Sequence, residues 1–199
     1  MRHLAKVSFF VILALTLCGV LPAAAKEEYF TEAELDLIRD AQELKLRVPV
    51  YFTIAGRRLI FLGIMEKSEK EKEKERKERE KREKELKKGA KADQLPPVDD
   101  LAYLDQFTPD ELLHGYMQAL DEVMSNIDDY YSRKLDVRDS VEDLEKFTRE
   151  TIPLLQKFKP RNATDRAALE AAIDKAKQSL ADATDALKTV PKTEKKRKP

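Results

Sequence analysis

Arg47-Val-Pro-Val-Tyr-Phe-Thr-Ile-Ala-Gly-Arg-Arg-Leu-Ile-Phe-Leu-Gly-Ile-Met65 is the stretch on which the fold class turns. It is rich in β-branched and aromatic residues and carries a glycine near its middle. Read as strands, Val50-Tyr-Phe-Thr-Ile54 and Arg58-Leu-Ile-Phe-Leu62 flank an Ala55-Gly56-Arg57 turn and make a β-hairpin. Read as a helix, Val48, Phe52, Ala55, Leu59 and Leu62 fall on one face. A lone two-stranded hairpin is barely stable in water, so the helical reading is preferred, with the helix kinked or restarted at Pro49. With that choice the chain reads as all-α. Scarce glycine and long stretches of alanine, leucine, glutamate and lysine agree with it, because those residues lose little freedom in a helix.

Toward the N-terminus, Thr31 and Glu34 form a capping box, each side chain satisfying a free backbone amide. Leu35, Ile38, Gln42 and Leu46 follow at helical spacing, with Leu37, Ala41 and Leu44 widening the stripe, and predict a helix from Glu32 to about Leu46. Further upstream, Arg2 and Lys6 precede an apolar run from Val7 to Leu21 and then Pro22-Ala-Ala-Ala25. That order is the order of a secretory signal peptide. The run falls short of the roughly 20 apolar residues of a spanning helix and ends as Ala-x-Ala, so residues 1–25 are expected to be removed after Ala25, leaving a periplasmic or secreted protein. The single cysteine, Cys18, raises lipidation as an alternative, but Leu17 stands where that processing wants a small side chain. Cleavage at Ala25 leaves no thiol, which excludes disulfides, thiolate catalysis and cysteine-based metal centres together. A membrane partner enters only if the signal segment stays uncleaved or Cys18 is lipidated.

Toward the C-terminus, residues 66–92 are almost wholly glutamate, lysine and arginine, 13 bases against 9 acids. Such a run has nothing to bury. Glu73 with Lys77, Glu75 with Arg79, Glu78 with Arg82, Glu80 with Lys84 and Glu83 with Lys87 are each a glutamate four residues before a base, the favourable orientation on a helix. The segment therefore reads either as a solvated helix or as a flexible charged linker, and the near balance of charge argues against nucleic acid as a partner. Gly89 stops it, and Leu95-Pro96-Pro97 marks an extended linker within residues 93–107.

The C-terminal helical bundle is expected over residues 108–187, which are acidic, with 21 acids and 11 bases across 93–187. Thr108-Pro109-Asp110-Glu111 combines a cap residue, proline at the first helical position and acids in the first turn. Leu113, Met117, Leu120, Met124, Ile127 and Tyr131 form the stripe of a first helix. Val137, Val141, Leu144, Thr148, Thr151, Leu155 and Phe158 form that of a second, bent at Pro153. The third starts at Ala163 or Thr164 as cap and carries Leu169, Ile173, Ala176, Leu180, Ala183 and Leu187, its alanines implying close approach to a neighbour. The architecture expected is an up-and-down bundle, with the N-terminal helical pair of residues 26–65 available to complete it and the charged segment inserted between. The basic tail, residues 188–199, has no apolar face and reads as disordered.

Candidate chemistry is thin. One histidine survives cleavage, and Glu111-Leu-Leu-His114 has the Glu-x-x-His spacing that places two metal ligands on one helix face. A di-iron bundle needs two such pairs and two further glutamates, so a polar residue in a first helical turn is the ordinary explanation. Asp128 and Asp129, beside Tyr130 and Tyr131, are adjacent carboxylates, but neighbours on a helix diverge by about 100° and do not share a cleft. There is no glycine-rich phosphate loop and no Ser-His-Asp set. Asn162-Ala163-Thr164 matches a glycosylation sequon of low specificity.

Ile38-Arg-Asp-Ala-Gln-Glu43, Arg57-Arg58-Leu59 and Phe147-Thr148 resemble a group of exported bacterial helical proteins with no established function, over about half of the mature chain. The resemblance favours helix over hairpin near Arg58 and implies no activity. The function expected is that of an exported, non-catalytic helical protein acting through its surfaces as a scaffold, adaptor or envelope binding module. It would take no cofactor, and its partner would be an envelope protein or a second copy. The alternative is a metal- or small-ligand-binding bundle centred near Glu111 and His114.

Overall fold

The structure is a computed structural model and describes residues 29–88 and 101–191. Among these residues the chain forms six α-helices, one short 3-10 helix and no strand. The chain is all-α, and the hairpin reading of residues 50–62 gives way to helix. The expected signal segment with Cys18, the stop at Gly89, the Leu95-Pro96-Pro97 linker and the lysine-rich end of the tail lie outside the described residues. No helix among the described residues is long and apolar enough to cross a membrane.

Helix α1 spans Glu32–Asp40 and begins with the Thr31 and Glu34 capping box. Helix α2 spans Leu44–Phe61, with Pro49 inside it. The break between them corrects two expectations, a helix continuing to Leu46 and a restart at Pro49. Both Pro49 and Lys45 are exposed, so the carbonyl deprived of its ladder donor lies on the solvent side, where water can take it. The chain turns instead at Ala41, whose φ of −83° and ψ of 77°, with Gln42 N–H donating to the Asp40 carbonyl at 3.1 Å, make an inverse γ-turn. The turn rotates α2 relative to α1, which leaves Leu46 58% exposed and Leu37 exposed as well. Helix α2 ends in a Schellman motif: Gly63, at φ 71°, donates to Ile60, and Ile64 donates to Leu59.

Helix α3 spans Glu69–Lys87 and starts with a second capping box, Ser68 with Glu71. Residues 101–107, read above as the end of a linker, are a packed segment instead. A 3-10 turn over Ala102–Gln106 buries Leu101 and Leu104 against Leu112, Ile60 and Phe61. Helices α4, Pro109–Ser132, α5, Arg138–Lys157, and α6, Ala163–Thr189, complete the chain.

One apolar core runs from Phe30 to Val190 and draws on α2, α4, α5 and α6 together. Helix α2 lies antiparallel to α4, with Arg47 meeting Asn126 at one end and Arg58 meeting Gly115 at the other. Helix α5 lies antiparallel to α6, with Glu145 meeting Thr184 and Arg138 donating to the Val190 carbonyl. Helix α4 sits between α2 and α6, so it buries more than one stripe: Leu112, Gly115, Tyr116, Ala119 and Val123 join the expected Leu113, Leu120 and Ile127. Each fully buried leucine among these contributes about 1.5–3 kcal/mol. Ala168, Ala172, Ala176, Ser179 and Ala183 form the small-residue stripe that lets α6 approach its neighbours.

Three further expectations are corrected. Tyr131 lies past the end of the core stripe and is 53% exposed. The cap of α6 is Asn162, whose side chain accepts from the Asp165 amide at 2.7 Å, because its short carboxamide reaches the free amide of the third helical residue. Helix α6 runs on through Lys188 and Thr189 to a buried Val190, its last carbonyls held by Arg138, so the structured chain extends past Leu187.

Candidate functional site

The strongest concentration of buried charge lies where α1, α2 and α4 meet, and the sequence reading passed over it. Arg58, in the last turn of α2, is 0% exposed, and Glu34, in the first turn of α1, is 2% exposed. The guanidinium grips the carboxylate with two hydrogen bonds, Nη1 to Oε1 at 2.7 Å and Nη2 to Oε2 at 2.8 Å. That parallel pair is the strongest geometry available to these groups. Nη1 also donates to the Ile54 carbonyl at 3.0 Å and Nη2 to the Tyr29 carbonyl at 2.5 Å, while Phe30 places its ring 5.4 Å from the guanidinium carbon.

Space for the guanidinium comes from a glycine. A Cβ on Gly115 would stand 2.3 Å from Arg58 Nε and 3.0 Å from its Cδ, so only glycine lets α4 pass this close. Nε itself has no hydrogen-bond partner. Glu34 does more than pair: its Oε2 accepts from the Thr31 amide at 2.9 Å, which is the capping box, and its Oε1 accepts from the Tyr103 hydroxyl at 2.9 Å. One carboxylate thus ties together α1, α2 and the 3-10 turn.

Burial pushes the Glu34 carboxyl up, but the hydrogen bonds and charge of Arg58, with help from Thr31 and Tyr103, outweigh it and leave the pKa below the usual carboxylate value. Tyr103 moves the other way, pushed up to about 12 by burial and by the charge of Glu34 and the hydrogen bond to it. A carboxylate held ionised by its guanidinium partner and a phenol held neutral have no proton to exchange near neutral pH. The arrangement suits clamping and does not suit acid-base chemistry.

His114 stands at the rim of this cluster. Its ring stacks on Tyr29, with centroids 5.3 Å apart and planes 18° apart, and the Tyr29 amide donates to Gln118 Oε1 at 3.1 Å. Glu111 faces a different task, its Oε2 accepting from the Thr108 amide at 2.7 Å as the carboxylate of the α4 capping box. Glu111 and His114 share one helix and are not brought together around a common point by these contacts. Among the described residues no group of three or more histidine, cysteine, aspartate or glutamate side chains could hold a metal ion. Asp129 pairs with Arg133 at 2.8 Å on the surface, and Tyr130 reaches back to the Gln42 carbonyl at 3.0 Å.

Two other polar places stand out. Tyr116, pushed up to about 12 by burial, shares a 2.9 Å hydrogen bond with Thr151 inside the core. A groove of about 280 Å³ opens between α2 and α3, where Arg57, Lys67 and Lys74 face Glu71, Glu75 and Glu78. Its charges offset one another, and Lys67 already bridges to Glu75 at 2.9 Å.

The sequence held one signal for the Arg58 cluster. Arg58 falls three residues after Ala55 and beside Leu59, so helical spacing places a charge at the edge of the expected apolar face, and the structure buries it there. A buried arginine requires a carboxylate partner, and which one depends on how α1 folds back, which no local pattern encodes. Set beside known proteins, the chain matches no protein-family model, no curated protein and no solved structure.

Proposed function

We propose that this chain is an exported, non-catalytic helical protein that acts through its surfaces as a scaffold, adaptor or envelope binding module. The carrying observation is the use to which the ionisable core is put: Glu34, Arg58 and Tyr103 are spent on fastening the N-terminal segment to α2 and the 3-10 turn. Glu111 serves as a helix cap and His114 as a stacking partner, which favours this reading over a ligand site at those two residues. In this proposal the helices follow an up-and-down path, α3 is an inserted charged arm, and residues 1–25 are removed on export. The arm supports a surface role, since most of its described side chains are exposed and Leu86 is the one apolar residue in its sequence. The likeness of Ile38–Glu43, Arg57–Leu59 and Phe147–Thr148 to exported helical proteins supports the same compartment.

Crosslinking followed by pull-down from the cell envelope tests the reading, comparing the whole chain with one lacking residues 66–92. The expected result is a defined set of envelope partners, lost in part when the arm is removed. Turnover of a substrate by the purified protein, abolished by Glu111→Gln or His114→Ala, would overturn it. Recovery of Lys26 as the first residue of the exported protein is the expected N-terminus.

A further inference from the structure

We propose that the N-terminal segment is exchangeable: α1 of one copy docks Glu34 onto Arg58 of a second copy, giving a reciprocal, domain-swapped dimer. The proposal goes beyond the functional reading above and holds whatever the partner or compartment. It rests on a conflict between local and tertiary preference at residues 41–43.

Ala41, Gln42 and Glu43 are all good helix formers, with no glycine or proline among them, and the apolar spacing of Leu35, Ile38, Gln42 and Leu46 runs straight through them. Glu43 opens α2 without any side-chain cap bond. Nothing local stops the helix here. Contacts from elsewhere hold the turn closed. Arg47 Nε donates to the Ala41 carbonyl at 2.7 Å while its Nη1 reaches Asn126 at 3.0 Å, and the Tyr130 hydroxyl donates to the Gln42 carbonyl. With those contacts released, α1 and α2 become one helix over 32–61, about 45 Å long.

Straightening separates Glu34 from its own Arg58 by about 36 Å along the helix. The guanidinium, buried opposite Gly115, is then left uncompensated, which is costly. The carboxylate that fits it is the Glu34 of another chain, presented on the same α1 with the same Phe30 and Tyr29. Glu34 is the one fully buried residue of α1, with Leu35 and Ile38 half-buried against the core, so this short helix is held on by the ion pair and two apolar contacts and leaves as a unit. Exchange of an identical element through a short hinge is a low-cost route to a closed dimer.

The test uses the whole chain with Cys18→Ser, carrying Tyr29→Cys and His114→Cys, which places one thiol on the exchanging segment and one on α4 while leaving the ion pair intact. A short bis-maleimide joins them within one chain in the closed form and between two chains in the swapped form, and a denaturing gel separates the two. The expected result is an interchain band that grows with protein concentration. Arg47→Ala, which releases the turn, raises it. Glu43→Pro lowers it, because φ at Glu43 is −85° and ψ is 143°, near what proline adopts, whereas in one continuous helix proline at 43 would remove an amide donor and crowd the preceding turn. A link that stays within one chain at every concentration, including with Arg47→Ala, overturns the proposal. So does an interchain band indifferent to both hinge substitutions, since that association runs through another surface such as the apolar run of residues 7–21.

Discussion

The Glu34–Arg58 pair and the pairs along α3 are made from the same chemistry at the same distance, and they do opposite things. Arg58 holds Glu34 at 2.7 Å; Lys77 holds Glu73 at 2.8 Å. The first pair is sealed between three helices, while the side chains of the second remain 67% and 55% exposed. Distance therefore does not rank them. In the core each charge has lost its water and depends wholly on its partner, so removing either one strands the other. On α3 water replaces a lost partner at almost no cost, and the pairs do little more than keep a solvated helix helical.

The largest expected effect comes from breaking the buried pair on one side. Glu34→Ala should cost about 3–5 kcal/mol, read from urea unfolding. Replacing both residues, Glu34→Leu with Arg58→Met, should recover most of that loss, because no charge is left stranded. Next comes the notch that makes room for the guanidinium. Gly115→Ala gains about 1 kcal/mol of helix propensity, but its methyl stands 2.3 Å from Arg58 Nε, and overpacking of this kind costs roughly 1–3 kcal/mol. Net destabilisation is expected in the native chain. In the Arg58→Met background the sign should reverse, since a thioether chain can move aside and no bidentate pair fixes it.

These two regions also differ in how far the sequence disclosed them. The ion-pair ladder of α3 is a local pattern, so spacing of four announced Glu73–Lys77 and Glu75–Arg79, and both are closed at 2.8 Å. The stripes of α5 and α6 were legible for the same reason, each being a repeat within one helix. Arg58 with Glu34 spans 24 residues and three elements, and its geometry depends on a turn at Ala41 that residue preference opposes. Proline is the strong local signal for a break at Pro49, yet the helix continues through it, because the carbonyl it frees lies on the solvent side where water can take it. The bonds that hold the real break, from Arg47 six residues on and from Tyr130 across the fold, follow no repeat that apolar spacing announces. His114 shows the intermediate case: it is visible in the sequence as the one histidine beyond residue 25, but its partner Tyr29 is not.

Acid should sharpen the contrast. The folded pKa of Glu34 lies below its ordinary value of 4.5, so the stability it brings is complete above that value and lost as pH falls through the folded pKa. The chain should therefore lose stability with acid below about pH 4.5, with Glu34→Gln removing part of that slope in chemical denaturation followed at each pH. Tyr103 sends the same message at the other extreme, because its hydroxyl donates to Glu34 and its pKa is pushed up to about 12 by burial and by that carboxylate.

The smallest effect is expected on α3, and its smallness is what gives it value. Glu73→Ala removes a partner of Lys77 at 2.8 Å, yet the unfolding free energy should move by no more than about 0.5 kcal/mol, with alanine's own helix preference offsetting part of it. Raising salt should narrow even that gap, since the exposed pair that distinguishes the native chain from the variant is screened away. A loss near that of Glu34→Ala would mean that α3 is packed against a surface and its charges are desolvated, and the division between a clamped core and a free charged arm would fail at that helix.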